Sequence, residues 1–152
     1  MWLIRYARQT DLTQMLAIEN VSHPRPWSKT DFEEELDNHV VPSYFWVAAP
    51  RDAPSCVAGY LCFRWLMDEV YIINLTVAPR FRRLGAAKEL MNLCIRWAKG
   101  RKGTRLVLDV NRNNLSAVAF YRAFGFYVAC EGGVDLDIPS HDQFVMTLTI
   151  GD

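Results

Sequence analysis

A basic turn that contains a glycine is the part of this chain best suited to bind an anion. It joins a strand-like run, residues 71–77, to a helix-like run that begins at Ala86, and three of its residues are arginines. The backbone N–H groups of such a turn point to one side, and the helix N-terminus adds roughly half a positive charge. Gly85 and its alanine neighbours have small side chains, so a phosphate group can approach the backbone closely. The turn therefore predicts a site for a ligand that carries phosphates.

The charges of the chain also concentrate around this turn. Residues 79–112 hold ten Lys or Arg against two Asp or Glu, although the formal net charge of the whole chain is zero. A nucleic-acid-binding domain is usually basic overall, so we expect a compact polyanion such as a nucleotide cofactor and no nucleic acid. The alternative is that these side chains form a solvated helix surface with no ligand.

Length and composition predict one globular domain over residues 1–152. Hydrophobic residues make up 51% of the chain, and no apolar run reaches the roughly 18 residues that a membrane-spanning helix needs. The apolar start of the chain is also too short for a secretory signal, so we expect a cytoplasmic protein with no membrane partner. The four cysteines lack C-x-x-C spacing and the three histidines are scattered, which indicates reduced cysteines and no metal site.

The elements that must position the turn can be predicted from periodicity and turn residues. Asp11 with Gln14 resembles a capping box for the first helix, Ser28 caps the second, and Asn113 or Asn114 caps the last. We expect helices near residues 12–20, 29–37, 86–99 and 115–124, and strands near residues 3–7, 44–49, 57–66, 69–77, 104–110, 126–130 and 144–150. The order is β-α-α-β-β-β-α-β-α-β-β. Because the unit over 69–110 needs a parallel crossover, the fold class is α/β (α+β), a mixed sheet flanked by about four helices.

Two motifs at a fixed spacing resemble those of the GNAT superfamily of acyl-CoA-dependent N-acyltransferases. The first is Val77-x-Pro79 followed by R-x-x-G-x-A at Arg82 to Ala87, and the second is Asn114-x-x-Ala117-x-x-Phe120-Tyr121-x-x-x-Gly125-Phe126. The resemblance covers nearly the whole chain. It implies a GNAT-like fold and acetyl-CoA as the cofactor.

The resemblance also implies roles for individual residues. The backbone of three strand residues would pair with the pantetheine arm as an added strand: Leu75, Thr76 and Val77. The pyrophosphate would be held by the amides of Arg82, Arg83, Leu84, Gly85, Ala86, Ala87 and Lys88. Asn114 would bind the cofactor near its pantetheine, and Tyr121 would stand beside the sulfur.

Three further features are similar to the RimI-type enzymes, which acetylate protein N-termini, including that of a ribosomal protein. These are Pro26-Trp27-Ser28, Asp68-Glu69 and Leu108-Asp109-Val110. The resemblance implies a protein or peptide N-terminus as the acceptor. The RimI pattern includes a tyrosine pair in the C-terminal loop, whereas residues 132–139 contain no tyrosine. A small-molecule amine is therefore a second hypothesis, for which the acidic helix at 31–37 would suit a cationic substrate.

The chemistry of acetyl transfer indicates which side chains could act. The amine must be neutral, and the leaving thiolate takes up a proton. Tyr121 is a candidate general acid, and either Asp109 or Glu69 could be the base at the cleft where the parallel strands separate. A backbone N–H near Leu75 could donate to the acetyl oxygen. Each side chain could also be structural only, and a non-catalytic acyl-CoA-binding module is the third hypothesis.

Overall fold

A seven-stranded mixed sheet with helices on both faces forms the body of the molecule, as expected from the sequence. The computed structural model describes residues 1–37, 41–131 and 142–151. The strands are β1 Trp2–Tyr6, β2 Ser43–Pro50, β3 Gly59–Leu66, β4 Glu69–Val77, β5 Arg105–Asn111, β6 Tyr127–Glu131 and β7 Gln143–Thr149. The helices are α1 Leu12–Ser22, α2 Lys29–Leu36, α3 Ala86–Gly100 and α4 Leu115–Ala123. The predicted element order and mixed sheet are thus confirmed.

The sheet runs β1-β2-β3-β4-β5-β7-β6, and its centre opens between β4 and β5. These two strands are parallel and pair only from Glu69↔Arg105 to Ile72↔Leu108. On its other side β4 stays paired with β3 as far as Val77, with a register irregularity beside Ile73. Beyond Ile72 the β5-facing edge of β4 therefore has no strand partner within the described residues.

Two hydrophobic clusters pack on opposite faces of this sheet. The larger cluster lies under α3 and α4 and includes Leu90 and Val118, whereas the other lies under α1 and α2 and includes Met15 and Phe32. Alternate β5 residues belong to the α3 cluster, namely Leu106, Leu108 and Val110. Because side chains alternate along a strand, the residues between them face the α1 side of the sheet.

The helix starts show where local sequence signals hold and where one misleads. The Ser28 hydroxyl accepts a hydrogen bond from the Asp31 N–H at the start of α2, as predicted. The capping box expected from Asp11 and Gln14 is wrong, because Asp11 instead accepts hydrogen bonds from the Arg8 N–H and the Arg5 guanidinium. Gln14 turns toward the loop after β2, where its Oε1 accepts from the Val57 N–H.

Candidate active site

The basic turn, which we call the phosphate turn (residues 82–88), ends in a left-handed conformation before α3. Arg83 has φ 63° and Gly85 has φ 91°, and Gly85 is the residue that precedes the first turn of α3. The Trp2 indole N–H donates to the Leu84 carbonyl at 3.0 Å, so β1 holds the turn in place. The first N–H groups of a helix lack partners inside that helix, and here they open toward the turn. This is a backbone geometry suited to an anion.

A cavity of about 330 Å³ lies against the phosphate turn. Its lining residues come from the end of β4, the turn, the first residues of α3 and one residue of α4: Val77, Phe81, Arg82, Arg83, Gly85, Ala86, Ala87, Lys88 and Phe120. The structure thus brings most of the predicted pyrophosphate residues to one cavity. Leu84 is half-exposed on the outside of the turn and does not line it.

The Arg82 side chain contributes to the scaffold around this cavity. Its Nε donates to the Val77 carbonyl at 3.2 Å, and its Nη2 donates to the Ser22 hydroxyl at 3.2 Å. The guanidinium therefore links the end of β4 to the end of α1. Sequence reasoning had assigned only the Arg82 amide, and nothing in the local sequence signals this link.

Leu75, Thr76 and Val77 lie on the part of β4 that extends past its pairing with β5. Their strand conformation is maintained by β3 on one side, through the pairs of Leu61 with Leu75 and of Gly59 with Val77. The opposite edge offers backbone groups that an extended ligand could pair with, as an added strand would.

Asn114 lies at the N-terminus of α4. Its Oδ1 accepts hydrogen bonds from the Ala117 N–H and the Ser116 hydroxyl, both at 3.3 Å. The side chain is exposed, and its Nδ2 donates to no other group in the described part of the chain. Capping therefore uses the oxygen and leaves the amide N–H groups available to a ligand.

Tyr121 projects from α4 into the cluster under α3. Its ring packs edge-on against Phe126 and Phe120, with centroids 5.6 Å and 5.4 Å away. Burial raises the pKa of Tyr121 to about 12. The phenol therefore stays protonated at neutral pH, as a proton donor must be before it acts.

Asp109 is the first residue of β5 beyond the last pair with β4. Its neighbours Leu108 and Val110 are buried in the α3 cluster, whereas Asp109 is exposed and faces the α1 side of the sheet. Asp109 thus lies beside the opening on the α1 side of the sheet, whereas Tyr121 lies on the opposite, α4 side.

Glu69 lies at the wrong end of the strand pair to line this opening. It is paired with Arg105 at 2.9 Å and accepts a hydrogen bond from the Tyr71 hydroxyl at 2.9 Å, where the pairing begins. Six residues of strand place it roughly 20 Å from Leu75. The expectation that Glu69 lines the cleft is therefore corrected, because the parallel strands separate after Leu108 and not before Glu69.

A buried polar group on the α1 side was missed by the sequence reasoning. The Glu19 carboxylate, 2% exposed, accepts hydrogen bonds from the Tyr60 hydroxyl at 2.6 Å, the Asn74 amide at 3.0 Å and the Trp27 N–H at 3.0 Å. The residues of this polar group are far apart in the chain, so no sequence motif predicts the group. The only local signal is a glutamate at an apolar position of the α1 pattern.

Two features that bear on the acceptor can also be placed. The Trp27 ring packs against Phe32 at 5.2 Å, so it is part of the core under α2. Of the α2 acids, Glu35 is buried and paired with Arg64, and Asp31 accepts a hydrogen bond from the Ser28 N–H. Two of the five acids at 31–37 that would suit a cationic substrate are thus used within the fold; the five are Asp31, Glu33, Glu34, Glu35 and Asp37. Residues 132–139, the loop in which the RimI pattern has its tyrosine pair, lie outside the described residues.

The described residues contain neither a candidate metal site nor a candidate membrane span. No group of three or more His, Cys, Asp or Glu in ranges 1–37, 41–131 and 142–151 could hold a metal ion. In the same ranges, no helix has the length and apolar character needed to cross a bilayer.

Comparison with known proteins identifies the family. Residues 12–126 match the Acetyltransferase (GNAT) family. The ribosomal protein bS18-alanine N-acetyltransferase of Haemophilus ducreyi is 30% identical over 118 residues, covering 78% of this chain and 77% of the relative.

Two crystal structures share the fold. The ribosomal protein S18-alanine N-acetyltransferase from Escherichia coli has a TM-score of 0.83 at 24% identity, covering 100% of this chain and 96% of that one. Arabidopsis thaliana NAA60 in complex with acetyl-CoA has a TM-score of 0.81 at 20% identity, covering 99% of each chain. With the split sheet, the phosphate turn and the family match in place, the chain belongs to the GNAT family of N-acetyltransferases and uses acetyl-CoA as its acyl donor.

Proposed function

We propose that this chain, acting as a single domain over residues 1–152, transfers an acetyl group to the free α-amine of a protein or peptide N-terminus. The observation that carries the proposal is the separation of β4 from β5 after Ile72 and Leu108, because it opens the sheet beside a carboxylate, Asp109. The relatives named above are ribosomal protein bS18-alanine N-acetyltransferases, which supports an acceptor of the same kind. A ribosomal protein is therefore among the acceptors to test.

The described residues fit acetyl-CoA as the donor, which supplies the acetyl group as a thioester. We assign the pyrophosphate to the amides of the phosphate turn, where the αL conformation of Gly85 and the start of α3 leave N–H groups available. The unpaired edge of Leu75, Thr76 and Val77 is assigned to the pantetheine arm, with Asn114 Nδ2 as a further donor.

Two side chains then handle protons at the opening between β4 and β5. We assign Asp109 as the base that accepts a proton from the attacking amine, directly or through a water, from the α1 side of the sheet. Tyr121 donates its proton to the leaving sulfur from the α4 side, and a backbone N–H near Leu75 donates to the acetyl oxygen. Glu69 has no role in this assignment, because it lies roughly 20 Å from Leu75 along β4.

An α-amine suits this arrangement better than a lysine does. The pKa of an α-amine is roughly 7.7–8.0, so an appreciable fraction is neutral at physiological pH and one exposed carboxylate suffices as a base. A lysine amine, with a pKa near ~10.4, requires a stronger base.

Transfer is proposed to be direct, with no acetylated enzyme residue. Cys62 and Cys94 are buried, and burial raises the pKa of the Cys62 thiol to about 12. Both are therefore thiols at neutral pH and poor nucleophiles.

The proposal is tested by measuring CoA release from acetyl-CoA with a panel of N-terminal peptides, including the N-terminus of ribosomal protein bS18. We expect turnover with free peptides and none with the same peptides carrying a blocked α-amine. Release with spermidine or aminoglycosides but not with any peptide would overturn the proposal in favour of a small-molecule enzyme. Tight CoA binding without turnover on either panel would indicate a non-catalytic acyl-CoA-binding module.

A further inference from the structure

The polar group around Glu19 extends to the surface through one histidine. Thr76 Oγ1 lies 2.7 Å from Asn74 Oδ1, and His23 Nε2 lies 2.8 Å from Thr76 Oγ1. Together with the contacts of Glu19 these bonds form a chain, which we call the Glu19 network (Glu19, His23, Tyr60, Asn74 and Thr76). His23 is its exposed end, with 36% of its side chain accessible, and Thr76 belongs to the β4 segment assigned to the donor.

The direction of every bond in this chain follows from its buried end. The Glu19 carboxylate can only accept, so the Asn74 amide must turn its Nδ2 toward Glu19 and its Oδ1 toward Thr76. Thr76 then donates its one hydroxyl proton to Asn74 Oδ1. His23 Nε2 must therefore be the donor to Thr76, which leaves Nδ1 of the neutral ring as an unprotonated acceptor.

We propose that His23 takes a proton from the acceptor's α-ammonium group and so prepares the neutral amine, an inference that rests on the proposed function. The N–H bond of the ammonium breaks, its electron pair stays on nitrogen, and the proton moves to His23 Nδ1. The imidazolium later returns this proton to solvent. Asp109 accepts the second proton, from the nitrogen that has bonded to the acetyl carbon, and Tyr121 supplies the proton that the sulfur gains.

The charges around His23 support this step. The buried Glu19 carboxylate lies 3.8 Å from His23 Nε2 and stabilises the ring once it is protonated. Burial and the hydrogen bond to Glu19 raise the pKa of Tyr60, which is a residue of β3, so the Tyr60 hydroxyl stays neutral. Arg82 of the phosphate turn donates a hydrogen bond to Ser22, the residue before His23. Its positive charge opposes protonation of the His23 ring. Glu19 is buried, so its charge acts strongly on the ring, whereas Arg82 is exposed and its charge is screened by solvent.

The Glu19 network and Asp109 lie on the same side of the sheet. Asp109 faces the α1 side of the sheet. Asn74 and Thr76 face the same side, because their hydrogen bonds connect them to Glu19 of α1. A base at His23 would therefore act on the same face as Asp109, while Tyr121 acts from the other.

The test is the pH dependence of kcat/KM for peptide acetylation by the wild type and by His23→Gln. Glutamine can keep an N–H donor near Thr76 while removing the titratable ring. In His23→Gln only the free neutral amine reacts, so kcat/KM should fall as the pH drops below about 7.7–8.0, the pKa of an α-amine. In the wild type His23 accepts the ammonium proton, so kcat/KM should fall less over the same pH range. The two proteins should have equal kcat/KM above about pH 9, where the amine is already neutral.

A structural role would give a different result, because misplacement lowers turnover by the same factor at every pH. An active wild type with a parallel His23→Gln profile would overturn the inference and leave the proposed function standing. A wild type with no turnover on any N-terminal peptide would overturn both. His23→Ala provides a second variant, whose turnover near pH 6.5 should rise when imidazole is added. Failure of this rescue in a variant with wild-type thermal stability would also contradict the role.

Discussion

The two sides of the split sheet are built in different ways. The donor side is made of backbone from two segments close together in the chain, the edge of β4 at 75–77 and the phosphate turn at 82–88. The α1 side is made of side chains from three separate elements, joined at the buried Glu19. A backbone site depends on turn geometry and tolerates most side chains, whereas a network of buried polar groups depends on every member. Substitutions on the donor side should therefore change ligand binding, and those on the α1 side should change stability or proton transfer.

The largest expected effect is on catalysis at Tyr121, which packs with the cluster under α3 and α4, on the face of the sheet opposite α1. Tyr121→Phe keeps the ring packed against Phe126 and removes only the hydroxyl. We expect kcat to fall on the order of 10²–10⁴-fold, because the leaving sulfur loses its proton donor. The affinity for CoA, measured by isothermal titration calorimetry, should be unchanged. Full activity in the variant would mean that Tyr121 is a core aromatic and nothing more.

The next largest effect is on stability at Glu19. Glu19→Ala leaves three buried or half-buried donors without their acceptor, on Tyr60, Asn74 and Trp27. Since each orphaned group costs about 1–3 kcal/mol, the free energy of unfolding in urea should fall by about 3 kcal/mol or more.

Glu34→Ala is the matched control for that change, because Glu34 is an exposed acid on α2. It should change the free energy of unfolding by less than about 0.5 kcal/mol. Equal stabilities for the two variants would show that the Glu19 network does not hold the α1 side together.

A smaller effect is expected on the donor side at Gly85, which has φ 91°. An L-residue in this conformation costs about 1–2 kcal/mol. In Gly85→Ala the turn either keeps the strain, which lowers the free energy of unfolding, or relaxes, which weakens CoA binding up to about tenfold.

Gly100→Ala serves as the control, because an added Cβ there meets no atom within 4 Å and its φ is not in the left-handed region. It should leave both stability and CoA affinity near the wild-type values. If Gly85→Ala behaves like this control, the turn geometry is not what binds the donor.

The smallest effect is expected at Arg82, which connects the two sides. Arg82→Gln removes the hydrogen bonds to the Val77 carbonyl and the Ser22 hydroxyl on an exposed surface. A loss of about 1 kcal/mol is expected, seen as a CoA dissociation constant about fivefold higher. An unchanged dissociation constant, with Arg80→Gln as the comparison, would indicate that the link does not shape the donor side.

The difference between a site of local backbone and a network of dispersed side chains explains how much could be predicted from the sequence. Strand and helix patterns carry their own periodicity, and the phosphate turn is contiguous, so the element order and the turn were recognisable. The position of Glu69 was misjudged, because the sequence shows that two strands are parallel but not at which residue they part. Glu19 and His23 could not be predicted as a pair with Asn74 and Thr76, since their contacts span more than fifty residues of chain.

The central claim is that the opening between β4 and β5 accepts an α-amine. It is tested most directly by incubating the wild type and acetyl-CoA with a peptide that has both a free N-terminus and an internal lysine, then locating the acetyl group by tandem mass spectrometry. We predict acetyl on the α-amine and none on the lysine. Acetyl on the lysine, or an unmodified peptide under conditions where a small amine is acetylated, would contradict the account.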